Sequence, residues 1–178
     1  MNIVILESSP HKNGSSNLLA KQFSKGAKEK GHNIKVFDLA HMDISYCLGC
    51  GNCFSLDECT QKDDMFHIKK ALLNCDLVIF VSPIYFYGIS SRLKTCIDRL
   101  HHFYHQFYRK KMKSVLNVTQ ARPDIEGTYF ARDFYLALCD YIGFQNIGMV
   151  LGNNCGNPKT TLFTEHMQEA YLLGKSVE

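Results

Sequence analysis

Long apolar runs are absent from this sequence. The first strand-like run, Ile3 to Leu6, is four residues long and stops at Glu7, too short for a signal-peptide core or a membrane span. A soluble, intracellular protein of the cytoplasm is expected, with no membrane partner. A strong charge of either sign is missing too. The formal net charge is +3, and no basic tract is interleaved with aromatic residues as a nucleic-acid groove requires. The densest basic run, Tyr108-Arg109-Lys110-Lys111, reads as a solvated link between two elements. No internal repeat, low-complexity tract or linker is found. Two phosphate fingerprints are absent: G-x-x-x-x-G-K-[ST] does not occur, and G-x-G-x-x-G does not follow the first strand. Neither the nucleoside triphosphate cradle nor the dinucleotide turn is therefore present.

What is present suits one core. A chain of 178 residues, 46% hydrophobic and 21% charged, can enclose one well-formed interior but not two, so residues 1–178 read as a single domain. Its eight cysteines would stay unpaired in a reducing cytosol, which leaves metal binding or burial as their uses.

Five short apolar runs alternate with segments of helical spacing: Asn2 to Glu7, Asn33 to Leu39, Asp76 to Ser82, Lys113 to Thr119 and Asn146 to Leu151. The clearest helix is Ser90 to Phe107, with Leu93, Cys96, Ile97, Leu100, Phe103, Tyr104 and Phe107 on one face. Ser15 or Ser16 can cap another, and Asp63 and Asp64 stand before a third. Phe130, Phe134, Leu138 and Tyr141 mark a fourth, closed by Gly143, and Leu162 to Leu173 a fifth. Such alternation implies parallel strands joined by right-handed crossovers, with helices on both faces: a doubly wound α/β domain. Ligands of such a sheet bind outside the carboxyl ends of its strands. Five loops should open there: Ser8 to Gly14, His41 to Lys62, Pro83 to Ile89, Gln120 to Gly127 and Gly152 to Pro158.

The first loop reads SSPHKNGSSN. The hydroxyls of Ser9, Ser15 and Ser16, the Asn13 amide and the N–H groups of a new helix point donors at one place, which suits a phosphate monoester. An Asn-Gly turn before a serine-capped helix would read the same way. In the third loop, PIYFYGISS, Tyr85, Phe86 and Tyr87 stand where a fold alone would prefer polar turn residues. Either a planar ring or another subunit would cover them. Flavin mononucleotide joins a planar ring to a phosphate.

The stretches ESSPHKNGSSN, CLGCGNCFSLDECTQKDDM and VIFVSPIYFYGISSRLKTCIDRL resemble the flavodoxin-like NAD(P)H-dependent FMN reductase family, and its iron–sulfur flavoprotein branch in particular. The specific motifs cover about the first hundred residues. The resemblance implies a five-stranded parallel sheet in the order 2-1-3-4-5, FMN at its carboxyl edge, and a homodimer or homotetramer that completes the flavin pocket. Ser9, His11, Asn13, Ser15 and Ser16 would hold the FMN phosphate. Pro83, Ile84, Tyr85 and Phe86 would line the ribityl chain and ring, and Thr119 and Gln120 would approach the isoalloxazine. Two departures stand out. Relatives carry Gly-Ser-Pro-Arg where this chain has Ser8-Ser9-Pro10-His11, and the fourth loop, TQARPDIEG, is not rich in glycine.

Cys47, Cys50, Cys53 and Cys59 form C-x2-C-x2-C-x5-C within the second loop. Compact thiolate runs of this kind hold cubane clusters, whereas zinc is more often gripped by two separated C-x2-C knuckles. Three readings stay open: a [4Fe–4S] cluster, which also matches the iron–sulfur flavoprotein pattern, zinc, or no metal. His101 and His105 stand four apart but lack a third ligand. Cys75, Cys96 and Cys139 read as buried small hydrophobes, and Cys155 as exposed.

The expected function is an FMN-dependent oxidoreductase. It would take electrons from NAD(P)H and pass them to a quinone, nitroaromatic, flavin or protein acceptor, one at a time where a cluster takes part. Hydride transfer between two rings demands positioning and no catalytic acid or base. Two alternatives belong to other classes: an FMN and iron–sulfur electron-transfer protein reduced by a ferredoxin-like partner, and a zinc-binding interaction domain.

Overall fold

A computed structural model describes residues 1–56, 58–108 and 110–178; Arg109 of the basic run lies outside the described residues. Six strands form the sheet: β1 (Asn2–Glu7), β2 (Asn33–Asp38), β3 (Leu77–Tyr85), β4 (Gly88–Ile89), β5 (Lys113–Thr119) and β6 (Gln145–Gly152). The five longer strands are parallel in the order β2-β1-β3-β5-β6. The expected five-stranded sheet in the order 2-1-3-4-5 is corrected by β4, which folds back antiparallel on β3 and pairs Ile84 with Ile89 and Tyr85 with Gly88. Its two-residue turn is Phe86-Tyr87, with φ of 48° and 65°. Such turns usually announce themselves as Asn-Gly, so two aromatic residues conceal this one.

Among the described residues seven α-helices accompany the strands: α1 (Ser15–Glu29), α2 (Asn52–Leu56), α3 (Met65–Asn74), α4 (Ser91–Arg99) and α5 (Glu126–Ile142) lie between them, and α6 (Pro158–Thr161) and α7 (His166–Lys175) follow β6. In β1, Ile3 and Ile5 face a core shared with Phe23 of α1 and Leu173 of α7, while Val4 and Leu6 face one shared with α3, α4 and α5. Burial on both faces explains the nearly continuous apolar runs of β1 and β3. Among the described residues no helix is long and apolar enough to cross a membrane.

Two expected helices are redrawn. The run from Ser90 to Phe107 is helical only to Arg99 and continues as 3-10 turns at Leu100–His102 and Tyr104–Gln106. Leu93, Cys96, Leu100, Phe103 and Phe107 are buried nonetheless, because the tighter turns keep Leu100 and Phe103 on one side. The helix expected from Leu162 to Leu173 divides into α6 and α7. Asn157 caps α6, its Oδ1 accepting from Thr160 N at 3.0 Å, and Pro158 follows at the first helical position.

Glu7 ends β1 beside Asp38 of β2. Burial pushes its carboxyl from the ordinary range up to about 7; Lys21 opposes the rise and Asp38 adds to it. The folded chain therefore binds a proton here that the unfolded chain has released, and stability falls as pH rises from about 4.5 to about 7. Glu7→Gln is expected to raise stability at pH 8 by about 1 kcal/mol, after allowance for solvent screening, with no gain at pH 4. Thermal melts across that range check it.

Candidate functional site

The loops after β1, β3, β5 and β6 meet around one cavity of about 640 Å³. Ser9, His11, Asn13, Ser15, Ser16, Pro83, Ile84, Tyr85, Thr119 and Gln120 all line it. Phe86 does not; the hairpin turn leaves its ring wholly exposed. Cys155, Gly156 and Pro158 complete the wall. Sequence reasoning placed their loop at this edge but gave it no site residue. Cys155 is buried rather than exposed, and burial raises its thiol pKa, opposed by hydrogen bonds from Thr161 and Thr164.

The polar end is built by α1. Its first turn carries neither a capping side chain nor an acidic residue, so its leading N–H groups have no side-chain acceptor. Gly14 precedes it because a Cβ there would lie 2.5 Å from Ser9 Oγ and 3.0 Å from the His11 carbonyl oxygen. Ser16 is fully buried, and its Oγ has no partner among the described residues. A buried hydroxyl without a partner is costly, and an anion seated on the helix start would relieve it. Asn13 Oδ1 accepts from Lys21 Nζ at 2.8 Å, which brings a cation to the rim.

Buried serines join this loop to the aromatic one. Ser90 Oγ donates to Ser8 Oγ at 2.7 Å, Ser8 Oγ lies 2.8 Å from the Val81 carbonyl oxygen, and Ser90 N donates to Ser82 Oγ at 2.8 Å. At the far end Gln120 turns its amide onto its own loop, donating to the Asp124 carbonyl oxygen. Tyr87 meets Phe130 edge to face at 5.7 Å, and with Tyr85 and Phe86 they form an exposed aromatic rim.

Cys47, Cys50, Cys53 and Cys59 line a second cavity of about 230 Å³ together with Phe54, Arg99, His101 and His102. Gly49 and Gly51, at φ of 61° and 73°, turn the loop between successive thiols. Among the described residues no three His, Cys, Asp or Glu side chains are gathered as a metal site. The first and second loops are both expected to open at the carboxyl edge of the sheet, yet the two cavities share no lining residue. Sequence reading also missed what anchors it. Arg99 Nη1 donates to Asp63 Oδ2 at 2.6 Å and to the Ser45 carbonyl oxygen at 2.8 Å, and Nη2 lies 3.1 Å from Asp63 Oδ1 and 3.5 Å from Cys59 Sγ. Asp63 also supports the start of α3, its Oδ1 accepting from Met65 N at 3.1 Å.

The sequence model of the NADPH-dependent FMN reductase family matches residues 1–123. The chain belongs to that family. This family member is 33% identical over 100 residues to an iron-sulfur flavoprotein of Archaeoglobus fulgidus, covering 56% of this chain and 46% of the relative. It is 32% identical over 126 residues to an iron-sulfur flavoprotein of Clostridioides difficile, covering 68% and 56%. The chain thus spans about half the length of these curated relatives. Its fold matches an NAD(P)H:quinone oxidoreductase from Methanothermobacter marburgensis with a TM-score of 0.81 at 21% identity, covering 100% of this chain and 96% of that one. An FMN-dependent NADH-azoreductase from Bacillus anthracis, solved in complex with FMN, matches with a TM-score of 0.68 at 15% identity, covering 98% and 95%. In the reductase-family member described here, the orphaned Ser16 hydroxyl and the uncapped helix start fit a phosphate. The four thiols of the second cavity are soft donors of the kind iron–sulfur centres use, although among the described residues they are not gathered as a metal site and His101 and His102 share the cavity.

Proposed function

We propose that this chain is an NAD(P)H-dependent FMN oxidoreductase. One observation carries the reading: in a member of the FMN reductase family, a single cavity has an uncapped helix start with a buried, partnerless Ser16 hydroxyl at one end and Pro83, Ile84 and Tyr85 in its wall. Bound FMN would supply hydride acceptance from the nicotinamide and release of electrons to an acceptor. Ser9, His11, Asn13, Ser15 and Ser16 would hold its phosphate, and Pro83, Ile84, Tyr85, Thr119 and Gln120 would orient its ring and exclude water. Cys47, Cys50, Cys53 and Cys59 would hold a [4Fe–4S] cluster, a reading supported by their shared cavity and by the names of the curated relatives. The acceptor is a quinone, a nitroaromatic, a flavin or a redox protein, and the cytoplasm is the setting. The exposed rim of Tyr85, Phe86, Tyr87 and Phe130 supports a homodimer.

Purified protein loaded with FMN and mixed anaerobically with NADPH or NADH is expected to lose its blue absorption. An oxidised spectrum that persists with both donors would sink the reductase reading and favour an electron-transfer protein reduced by a ferredoxin-like partner. A protein that stays colourless after FMN addition would favour zinc. Iron and sulfide assays on anaerobic preparations test the cluster.

A further inference from the structure

The Ser15 hydroxyl of the cradle is held by a side chain from the far end of the sequence. Thr161, the last residue of α6 and fully buried, has its Oγ1 2.8 Å from Ser15 Oγ and 2.8 Å from the Asn157 carbonyl oxygen. We propose that Thr161 is a positioning residue for phosphate recognition, aiming the Ser15 proton at the phosphate of bound FMN. The proposal rests on the FMN reading above. It concerns a residue outside the 1–123 stretch that the family model matches.

The argument is one of proton direction. A hydroxyl has one proton to give and lone pairs with which to accept. When Thr161 donates to the Asn157 carbonyl oxygen or to the Cys155 thiol, Ser15 can meet it only by donating, and its proton turns away from the cavity. When an anion accepts the Ser15 proton, a Ser15 lone pair is free for the proton of Thr161. The chain Thr161 to Ser15 to phosphate then runs in one direction, each bond polarising the next. Little is lost at Asn157, whose carbonyl also accepts from Thr161 N at 3.1 Å and Thr160 Oγ1 at 3.0 Å.

The residues before α6 are laced to the loop after β5. Cys155 N donates to the Gln120 carbonyl oxygen, Asn154 N to that of Arg122 and Asn153 Nδ2 to that of Pro123, each at 2.8 Å. His166 Nε2 lies 2.8 Å from Asn153 Oδ1 and ties the same segment to α7. Thr161 is thereby carried on a fixed support, so its hydroxyl can hold Ser15 rather than follow it.

The test compares FMN with riboflavin, which has the ring without the phosphate, by fluorescence titration of apoprotein. Thr161→Val is expected to weaken FMN about tenfold and leave riboflavin within about twofold. Thr161→Ser should restore FMN binding, and Thr161→Val should add nothing in a Ser15→Ala background. Equal FMN affinity for Thr161→Val and wild type would overturn the proposal. So would a parallel loss of riboflavin, or a full loss persisting without the Ser15 hydroxyl. Should the valine variant fail to fold, Thr161→Ala makes the same comparison. A wild-type protein that binds neither flavin is a different result, and it overturns the FMN reading itself.

Discussion

Asp63→Ala is expected to lower folding stability by about 3–5 kcal/mol, on the order of 10 °C in melting temperature. The side chains of Asp63 and Arg99 are 5% and 2% exposed, so the substitution strands a guanidinium where water cannot replace the carboxylate. Asp63 also accepts from Ser45 N and Met65 N, each at 3.1 Å, and the start of α3 loses that support as well. The partnership shows in Asp63's own titration. Burial works to raise its pKa, but the Arg99 guanidinium and the two backbone donors outweigh it and hold the carboxyl below its usual range. A lowered pKa contributes stability that is present above the ordinary carboxylate range and is lost as pH falls through the depressed value. Wild type and variant should therefore converge in acid. The double variant Asp63→Ala/Arg99→Met should recover more than half of the loss, because it removes the buried charge with its partner. Urea unfolding of wild type, the single variant and the double variant at neutral and acid pH measures all of this. Thiol-reagent kinetics should show Cys59 reacting faster in the single variant, since Arg99 no longer pins the cysteine loop.

The parts of the fold that could be read in the sequence are those encoded locally. Six- and seven-residue apolar runs between amphipathic segments announced parallel strands, and hydroxyl and amide residues just after the first strand announced the polar end of the cavity. What escaped depends on contacts distant in the chain. Arg99 lies among apolar helix positions and finds Asp63 36 residues away, so its burial has no local signal. Thr161 reaches Ser15 across 146 residues. Cys155 is buried because its loop is sewn to the one after β5. The β4 hairpin was hidden by aromatic residues in left-handed backbone, a strained choice that itself points to a functional rim. The rule that ligands gather at the carboxyl edge placed the cysteine loop on that edge without saying where along it. β2 is an edge strand, and its loop runs off to Arg99 and the 3-10 turns rather than to the polar end of the first cavity.

A close approach between α1 and α7 governs the other large effect. Gly174→Ala is expected to cost about 3 kcal/mol or more, although alanine is worth about 1 kcal/mol more than glycine inside a helix. A Cβ at Gly174 of α7 would stand 2.1 Å from the carbonyl oxygen and 2.8 Å from the carbonyl carbon of Phe23 in α1. The reciprocal substitution is as tight: a Cβ at Gly26 would lie 2.2 Å from the Tyr171 carbonyl oxygen and 2.8 Å from Lys175 N. These neighbours are backbone, so no side-chain rotation relieves the clash and the two helices must separate. Separation exposes Ala20, Phe23 and Ala170, which are buried beneath the crossing. It also shifts α1, whose first turn forms the polar end of the cavity, so a loss of FMN affinity should accompany the loss of stability. Gly26→Ala should reproduce both effects. Ala170→Gly, one turn away on α7, should cost only about 1 kcal/mol of helix propensity plus a lost methyl contact, and should leave FMN binding unchanged. Melting temperature and FMN titration on the three variants separate a backbone clash from a general weakening of α7.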